Sequence, residues 1–280
     1  MIFGKKKDQN KYADKYKYSG YKYGGDSAEI SLFSVQEAYK SIRTNLVLSV
    51  IKDGCKTIVF TSSIPSEGKS TTSVNVAISL SKAFFKVLLI DCDLRKPRIH
   101  RALDLTNNVG LSNVLSGLDT IEMAIQQSKK YENLHVLSSG LIAPNPSEML
   151  ASDRMSKLLA ELRKSYDYII IDTPPINVVA DALPIIKQSD GVILIVRQEH
   201  TTHNELSKAI KSLQFIDARI IGIVMNAADT RKRKKYKDIG KYVDKINYED
   251  SSDSDEDDES ELHIADEVSV DTINTDKKNG

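Results

Sequence analysis

TIVFTSSIPSEGKSTTSVNVAISLSKA, residues 57–83, decides the fold. TIVFTS is rich in β-branched and apolar residues, as a short buried strand is, and SVNVAISLSKA continues as a helix. Between them SIPSEGKS fits the pattern GxxxxGK[ST], with Ser63 at the first glycine. A turn at this place sits where backbone amides and the helix dipole cradle phosphates. In the pattern, Gly68 lets the backbone approach the phosphate, Lys69 reaches the β- and γ-oxygens, and Ser70 presents a hydroxyl to Mg²⁺. Ser66 stands where a second glycine is common in such loops, so the backbone must reach its cradle shape with less freedom than glycine gives. Ser66, Glu67, Gly68, Lys69, Ser70 and Thr71 form the expected nucleotide-binding run.

Working outward, the chain repeats the strand-then-helix rhythm. Further β-rich runs are KVLLID, LHVLSSG, YIIID, GVILIV and RIIGIVMNA. The segments 70–83, 154–164 and 203–213 read as crossover helices. Short apolar runs alternating with helices predict an α/β fold, a mostly parallel sheet covered on both faces. Ahead of it, Val35, Ala38, Ile42, Leu46 and Val50 recur at helical spacing after a cap at Ser34, so an amphipathic helix is expected over 35–50.

Two strands end in acids. KVLLIDCDLRKPR closes with Asp91 and Asp93, and YDYIIIDTPP with Asp172. Alternation points Asp91 and Asp93 one way with Cys92 opposed. One carboxylate can hold Mg²⁺ and the other can accept the proton of an attacking hydroxyl, and both assignments stay open. Arg95 is placed to steady developing charge or to pair with them. Asp172 is the expected further Mg²⁺ carboxylate. Because ligands of open α/β sheets collect at the carboxyl ends of strands, Ser70, Asp91, Asp93 and Asp172 are expected around one metal.

Composition sets the limits. With 40% hydrophobic residues in 280, the chain carries one good-sized domain, expected over 31–230, between a Lys/Tyr-rich arm (1–30) and a basic, then acidic, tail (231–280). Neither flank has the apolar content to offset ordering entropy, so both are expected to be flexible. Lysine plus arginine and aspartate plus glutamate both number 39, which gives no general attraction to nucleic acid. RKRKKYK adjoins an acidic stretch and lacks the aromatic platform of single-strand binders, so no nucleic-acid role is expected. Cys55 and Cys92 have no metal-finger spacing, and the histidines do not cluster. The start lacks the apolar core of a signal peptide, and no run offers the ~18 apolar residues of a membrane span. A cytoplasmic location is expected.

The loop at 63–70, LLIDCDLRKP, IIIDTPP, EAYKSIRTN, PNPSEML and Asp181 in VVADALP together resemble the bacterial tyrosine kinases of capsular and extracellular polysaccharide synthesis, part of the wider ParA and MinD ATPase group. The resemblance covers about 33–227. It implies an ATP- and Mg²⁺-dependent kinase that phosphorylates tyrosines in its own or a neighbour's tail. It further implies a homo-oligomeric ring, a transmembrane activator of the polysaccharide co-polymerase kind holding the chain at the inner face of the membrane, and a cognate tyrosine phosphatase. Glu37 and Arg43 match family residues of the subunit contact, with Lys40 in place of an arginine; lysine cannot form the forked pair. The likeness also assigns Asn226 to the adenine base.

The acceptor tyrosines depart from the family pattern. Tyr236, Tyr242 and Tyr248 are spread through the carboxyl tail, while Tyr12, Tyr16, Tyr18, Tyr21 and Tyr23 crowd the arm. Seven lysines against two aspartates up to Tyr23 give the arm a formal charge of about +5, which three phosphates of about −2 each would reverse. The arm is therefore expected to associate with an acidic surface until phosphorylated. Two rival readings remain. A ParA- or MinD-type switch ATPase needs an extra lysine early in the phosphate loop, where this chain has Ser63 and Ile64. A weakly active ATP-binding scaffold for polysaccharide export would tolerate the two loop serines.

Overall fold

The structure is a computed structural model that describes residues 26–228. The expected acceptor tyrosines, the basic run and the acidic stretch lie outside the described residues. The chain divides into two units, 1–38 and 39–280. In the first, 26–38 are helical and form the beginning of α1 (Asp26–Ser49). This helix starts well before the cap expected at Ser34. Extending a nucleated helix by further turns costs little, so the backbone runs helical ahead of Ser34.

The second unit is built on a seven-stranded sheet of order β3-β4-β2-β5-β1-β6-β7. Its strands are β1 (Lys56–Ser62), β2 (Val87–Asp91), β3 (Ile125–Gln127), β4 (Leu134–Leu137), β5 (Tyr168–Asp172), β6 (Gly191–Arg197) and β7 (Ile220–Asn226). Every pairing is parallel except β3 with β4. All six runs read as strands are strands. β3 escapes the reading because three residues, IQQ, carry neither an apolar run nor alternation.

Helices cover both faces, as expected for parallel strands. They are α2 (Lys69–Lys82), α3 (Ile99–Ala102), α4 (Leu111–Ser116), α5 (Ile121–Ala124), α6 (Pro146–Leu150), α7 (Asp153–Leu162), α8 (Leu183–Lys187) and α9 (His203–Phe215). Alternate strand residues feed two cores. Ile58, Phe60, Leu89 and Ile170 pack with Leu46 and Val50 at the end of α1, with Val76, Ala77 and Leu80 of α2, and with Ile99 of α3. Val59, Leu88, Ile90, Ile171 and Leu194 pack with Met155 and Leu159 of α7, Ile185 of α8, and Ala209 and Leu213 of α9. Each fully buried Leu or Ile contributes about 2 kcal/mol. The central strands, buried on both faces, thus hold their carboxyl ends rigidly. Register sets Asp91 of β2 and Phe60 of β1 beside Asp172 of β5, so the loops after all three strands open at one place.

Candidate active site

The phosphate loop leaves β1 at Ser62 and enters α2 at Lys69. Gly68 has φ 91° and Ser66 has φ 68°, both in the left-handed region. A Cβ at Gly68 would lie 1.9 Å from Asn226 Nδ2, so only glycine fits there. Ser66 shows the strain foreseen for a loop short of glycines. Ser63, at the first glycine position, is buried and its Oγ bonds to nothing.

Lys69 folds across the acidic strand ends. Its Nζ lies 2.8 Å from Asp93 Oδ2, 3.4 Å from Asp172 Oδ2 and 3.2 Å from Ser70 Oγ. Burial pushes its pKa down, but Asp172 and Asp93 outweigh that and leave it raised, so the amine stays charged. Ser70 Oγ donates to Asp172 Oδ2 at 2.6 Å. Thr71 sits in the first turn of α2, its carbonyl accepting from Asn75.

The three carboxylates differ in what holds them. Asp91 Oδ1 accepts from Asp93 N at 3.1 Å, and Oδ2 accepts from Arg98 N and Ile99 N, both at 3.2 Å. It binds the loop from β2 to the start of α3. Burial, with the charge of Asp172, pushes its pKa up to about 8 despite those donors. Asp93 pairs with Lys69 and accepts from Lys96 N at 3.0 Å; it is 6% exposed, where Asp91 and Asp172 are at 0%. Asp172 is raised by burial, against the pull of Lys69 and Ser70.

These residues fit a magnesium ion. Asp172 Oδ1 is buried with no hydrogen-bond partner, one lone pair short of satisfaction. Asp93 and Asp172 both face the single ammonium of Lys69, an acidic cluster whose charge a divalent cation would balance. Among the described residues no three acidic, histidine or cysteine side chains form a ready-made metal cage. Mg²⁺ takes one or two carboxylates and completes its shell with water and substrate phosphates.

Arg95 turns to Asp181. Its Nε and Nη2 lie 2.7 and 3.2 Å from the two carboxylate oxygens, and Ser147 Oγ donates to the same carboxylate. Asp181 is buried, which pushes its pKa up, but Arg95 and Ser147 hold it below the ordinary carboxylate range. LLIDCDLRKP, PNPSEML and VVADALP thus meet at one clamp. Asn226 lies against the phosphate loop, its Nδ2 donating to Glu67 O at 3.1 Å and its Oδ1 accepting from Ala227 N. Of the residues matching the subunit contact, Glu37 lies on α1 in the first unit. Lys40 is exposed, and Arg43 Nη1 donates to Ser79 O in α2 at 3.0 Å.

The reading from sequence missed a second loop. Arg197 at the end of β6, and His200 and Thr201 in the loop that follows, bond Ser66 O, Pro65 O and the Glu67 carboxylate. The available signal was position: β6 lies next to β1, so its carboxyl-end loop must border the phosphate loop.

The AAA domain family matches residues 55–224. Tyrosine-protein kinase YwqD of Bacillus subtilis is 40% identical over 212 residues, covering 76% of this chain and 88% of the relative. Among solved structures, the chimerical protein CapA2B2 has 36% identity and a TM-score of 0.66, covering 69% of this chain and 84% of that one. The kinase domain of Escherichia coli tyrosine kinase ETK has 32% identity and a TM-score of 0.65, covering 70% and 78%. No helix among the described residues is long and apolar enough to cross a membrane.

Proposed function

Because the chain belongs to the bacterial tyrosine kinases, we propose that it transfers the γ-phosphoryl group of ATP to tyrosines in its own and neighbouring copies' tails, and so regulates capsular or extracellular polysaccharide synthesis. The observation that carries this reading is the convergence of Lys69, Ser70, Asp93 and Asp172 where the phosphate loop meets the ends of β2 and β5.

Lys69, kept charged by two carboxylates, neutralises the β- and γ-phosphate oxygens. Ser70 and Asp172 would hold Mg²⁺, which would draw charge from the phosphates. A tyrosine hydroxyl, with an unperturbed pKa of about 10, needs a carboxylate to take its proton as its oxygen bonds to phosphorus and ADP departs. Asp93 suits that role better than Asp91. Both Asp91 oxygens accept from backbone N–H groups and the residue is fully buried, whereas Asp93 lies against Lys69, the phosphate-binding lysine, and is 6% exposed. Arg95, fixed by Asp181 and Ser147, adds a positive charge close enough to feel Asp93. An adenine contact by Asn226 would use an amide already committed at both ends.

The acceptors in this reading are Tyr12, Tyr16, Tyr18, Tyr21 and Tyr23 in the arm and Tyr236, Tyr242 and Tyr248 in the tail. A transmembrane activator, a ring held through Glu37, Lys40 and Arg43, and a cognate phosphatase complete it. Mapping phosphotyrosines by mass spectrometry after incubation with Mg-ATP tests it. Modification in the arm and tail is expected; modification confined to 26–228, or none, would overturn it.

A further inference from the structure

Ser66 adopts a left-handed backbone at φ 68°, a conformation in which a residue with a Cβ is disfavoured roughly tenfold. The loop keeps this shape because its far side is strapped. Three successive carbonyls are tied by side chains from the ends of β6 and β7 and from the loop after β6. Pro65 O bonds His200 Nε2 at 3.2 Å, Ser66 O accepts from Arg197 Nη1 at 3.2 Å, and Glu67 O accepts from Asn226 Nδ2 at 3.1 Å. The buried Glu67 carboxylate accepts from Ile64 N at 2.9 Å and from Thr201 Oγ1. Thr201 Oγ1 in turn accepts from Arg197 N at 2.8 Å, so the strap is itself braced.

The consequence follows from the trans peptide unit, in which a carbonyl and the next N–H point opposite ways. Pinning the carbonyls of Pro65, Ser66 and Glu67 on one side turns the N–H groups of Ser66, Glu67 and Gly68 away from it. Successive N–H groups so turned, between left-handed residues, make an anion-binding concavity. A glycine-rich loop finds this shape by its own freedom; here outside donors impose it.

The geometry points to Arg197, His200 and Thr201 as positioning residues that hold the phosphate loop in its nucleotide-binding shape, compensating for serine where glycine is common. The inference rests on the nucleotide-binding reading of the loop given above. None of the three need touch the reacting atoms. Their loss is felt as weaker nucleotide binding, equal in ground and transition states, so KM rises while kcat holds.

Titration with a fluorescent ADP analogue and steady-state phosphotransfer on the full chain test this. Arg197→Ala with Thr201→Val raises the analogue's Kd and the KM for ATP about tenfold, with kcat at saturating ATP within about threefold of the parent. His200→Ala, on an exposed side chain least able to disturb folding, raises Kd about threefold. Adding Ser66→Gly to the double variant restores about fivefold of the lost affinity, because glycine needs no strap. An unchanged Kd in the double variant, or no recovery with Ser66→Gly, overturns the proposal. Parent protein that fails to bind the analogue would instead overturn the nucleotide-binding reading, so the two failures are distinct.

Discussion

Asp172→Asn should make the ligand-free protein more stable while destroying its activity. The carboxylate is wholly buried, Oδ1 has no partner, and burial raises its pKa against the pull of Lys69 and Ser70. The folded state therefore disfavours the ionised form of Asp172. Asparagine keeps an oxygen to accept from Ser70 Oγ, now 2.6 Å away, and Lys69 keeps Asp93 at 2.8 Å. Removing the charge should stabilise by about 1–2 kcal/mol, or roughly 3–6 °C in Tm for a domain of this size. The sign with pH follows from linkage. A raised carboxyl pKa means stability is lost as pH rises from the unfolded value of about 3.9 through the folded one, so the variant's advantage is absent below about pH 4 and grows as pH rises above it. Thermal melts across that range, without nucleotide, measure it. Addition of Mg-ATP should raise the Tm of the parent far more than that of the variant, and phosphotransfer should fall by about a hundredfold or more. A variant less stable than its parent at about pH 8, or one that keeps Mg²⁺-dependent activity, would refute the reasoning.

Gly68→Ala should cut nucleotide affinity by at least about a hundredfold, read by the same fluorescent titration, because its Cβ meets Asn226 Nδ2 at 1.9 Å and φ 91° is strained for alanine. Arg95→Ala should cost about 2 kcal/mol in urea unfolding at neutral pH, a figure discounted for the guanidinium's exposure, and Arg95→Lys should recover less than half because an ammonium cannot reproduce the fork. Since Asp181 is held below the ordinary carboxylate range, the clamp's contribution is present above about pH 4 and lost as pH falls below it; the stability gap between the parent and Arg95→Ala should narrow there. Leu46→Ala should cost about 3 kcal/mol, since Leu46 is the buried anchor of α1 on the sheet, and chemical denaturation measures it.

What the sequence revealed depended on whether a feature is periodic or local. The six longer strands carry continuous apolar runs and were plain, and GKS after TIVFTS, taken together with the acidic strand ends, pointed to the phosphate loop. The edge strand β3 was hidden because its three residues, IQQ, are too few to carry a pattern and pair only with β4. The first turns of α1 were hidden because Ser34 reads as a helix cap, which sets the expected start at Val35. The acidic strand ends were legible as a group, but their separate roles were not. Alternation treats Asp91 and Asp93 alike, and only the fold brings Arg98 N and Ile99 N back to one while leaving Lys69 to the other. Arg95 was legible as a cation, yet its partner lies 86 residues away on a different loop. The strap of Arg197, His200 and Thr201 was invisible for the same reason: its residues match no motif and gain meaning only from β6 lying beside β1.

The most direct test of the account is a phosphotyrosine blot of purified protein incubated with Mg-ATP, the parent beside Lys69→Ala. Lys69 contributes charge at the site rather than core packing, so the variant should stay folded by circular dichroism. The account predicts phosphotyrosine in the parent, dependent on Mg²⁺, and none in Lys69→Ala. A folded Lys69→Ala that labels as strongly as the parent would contradict it.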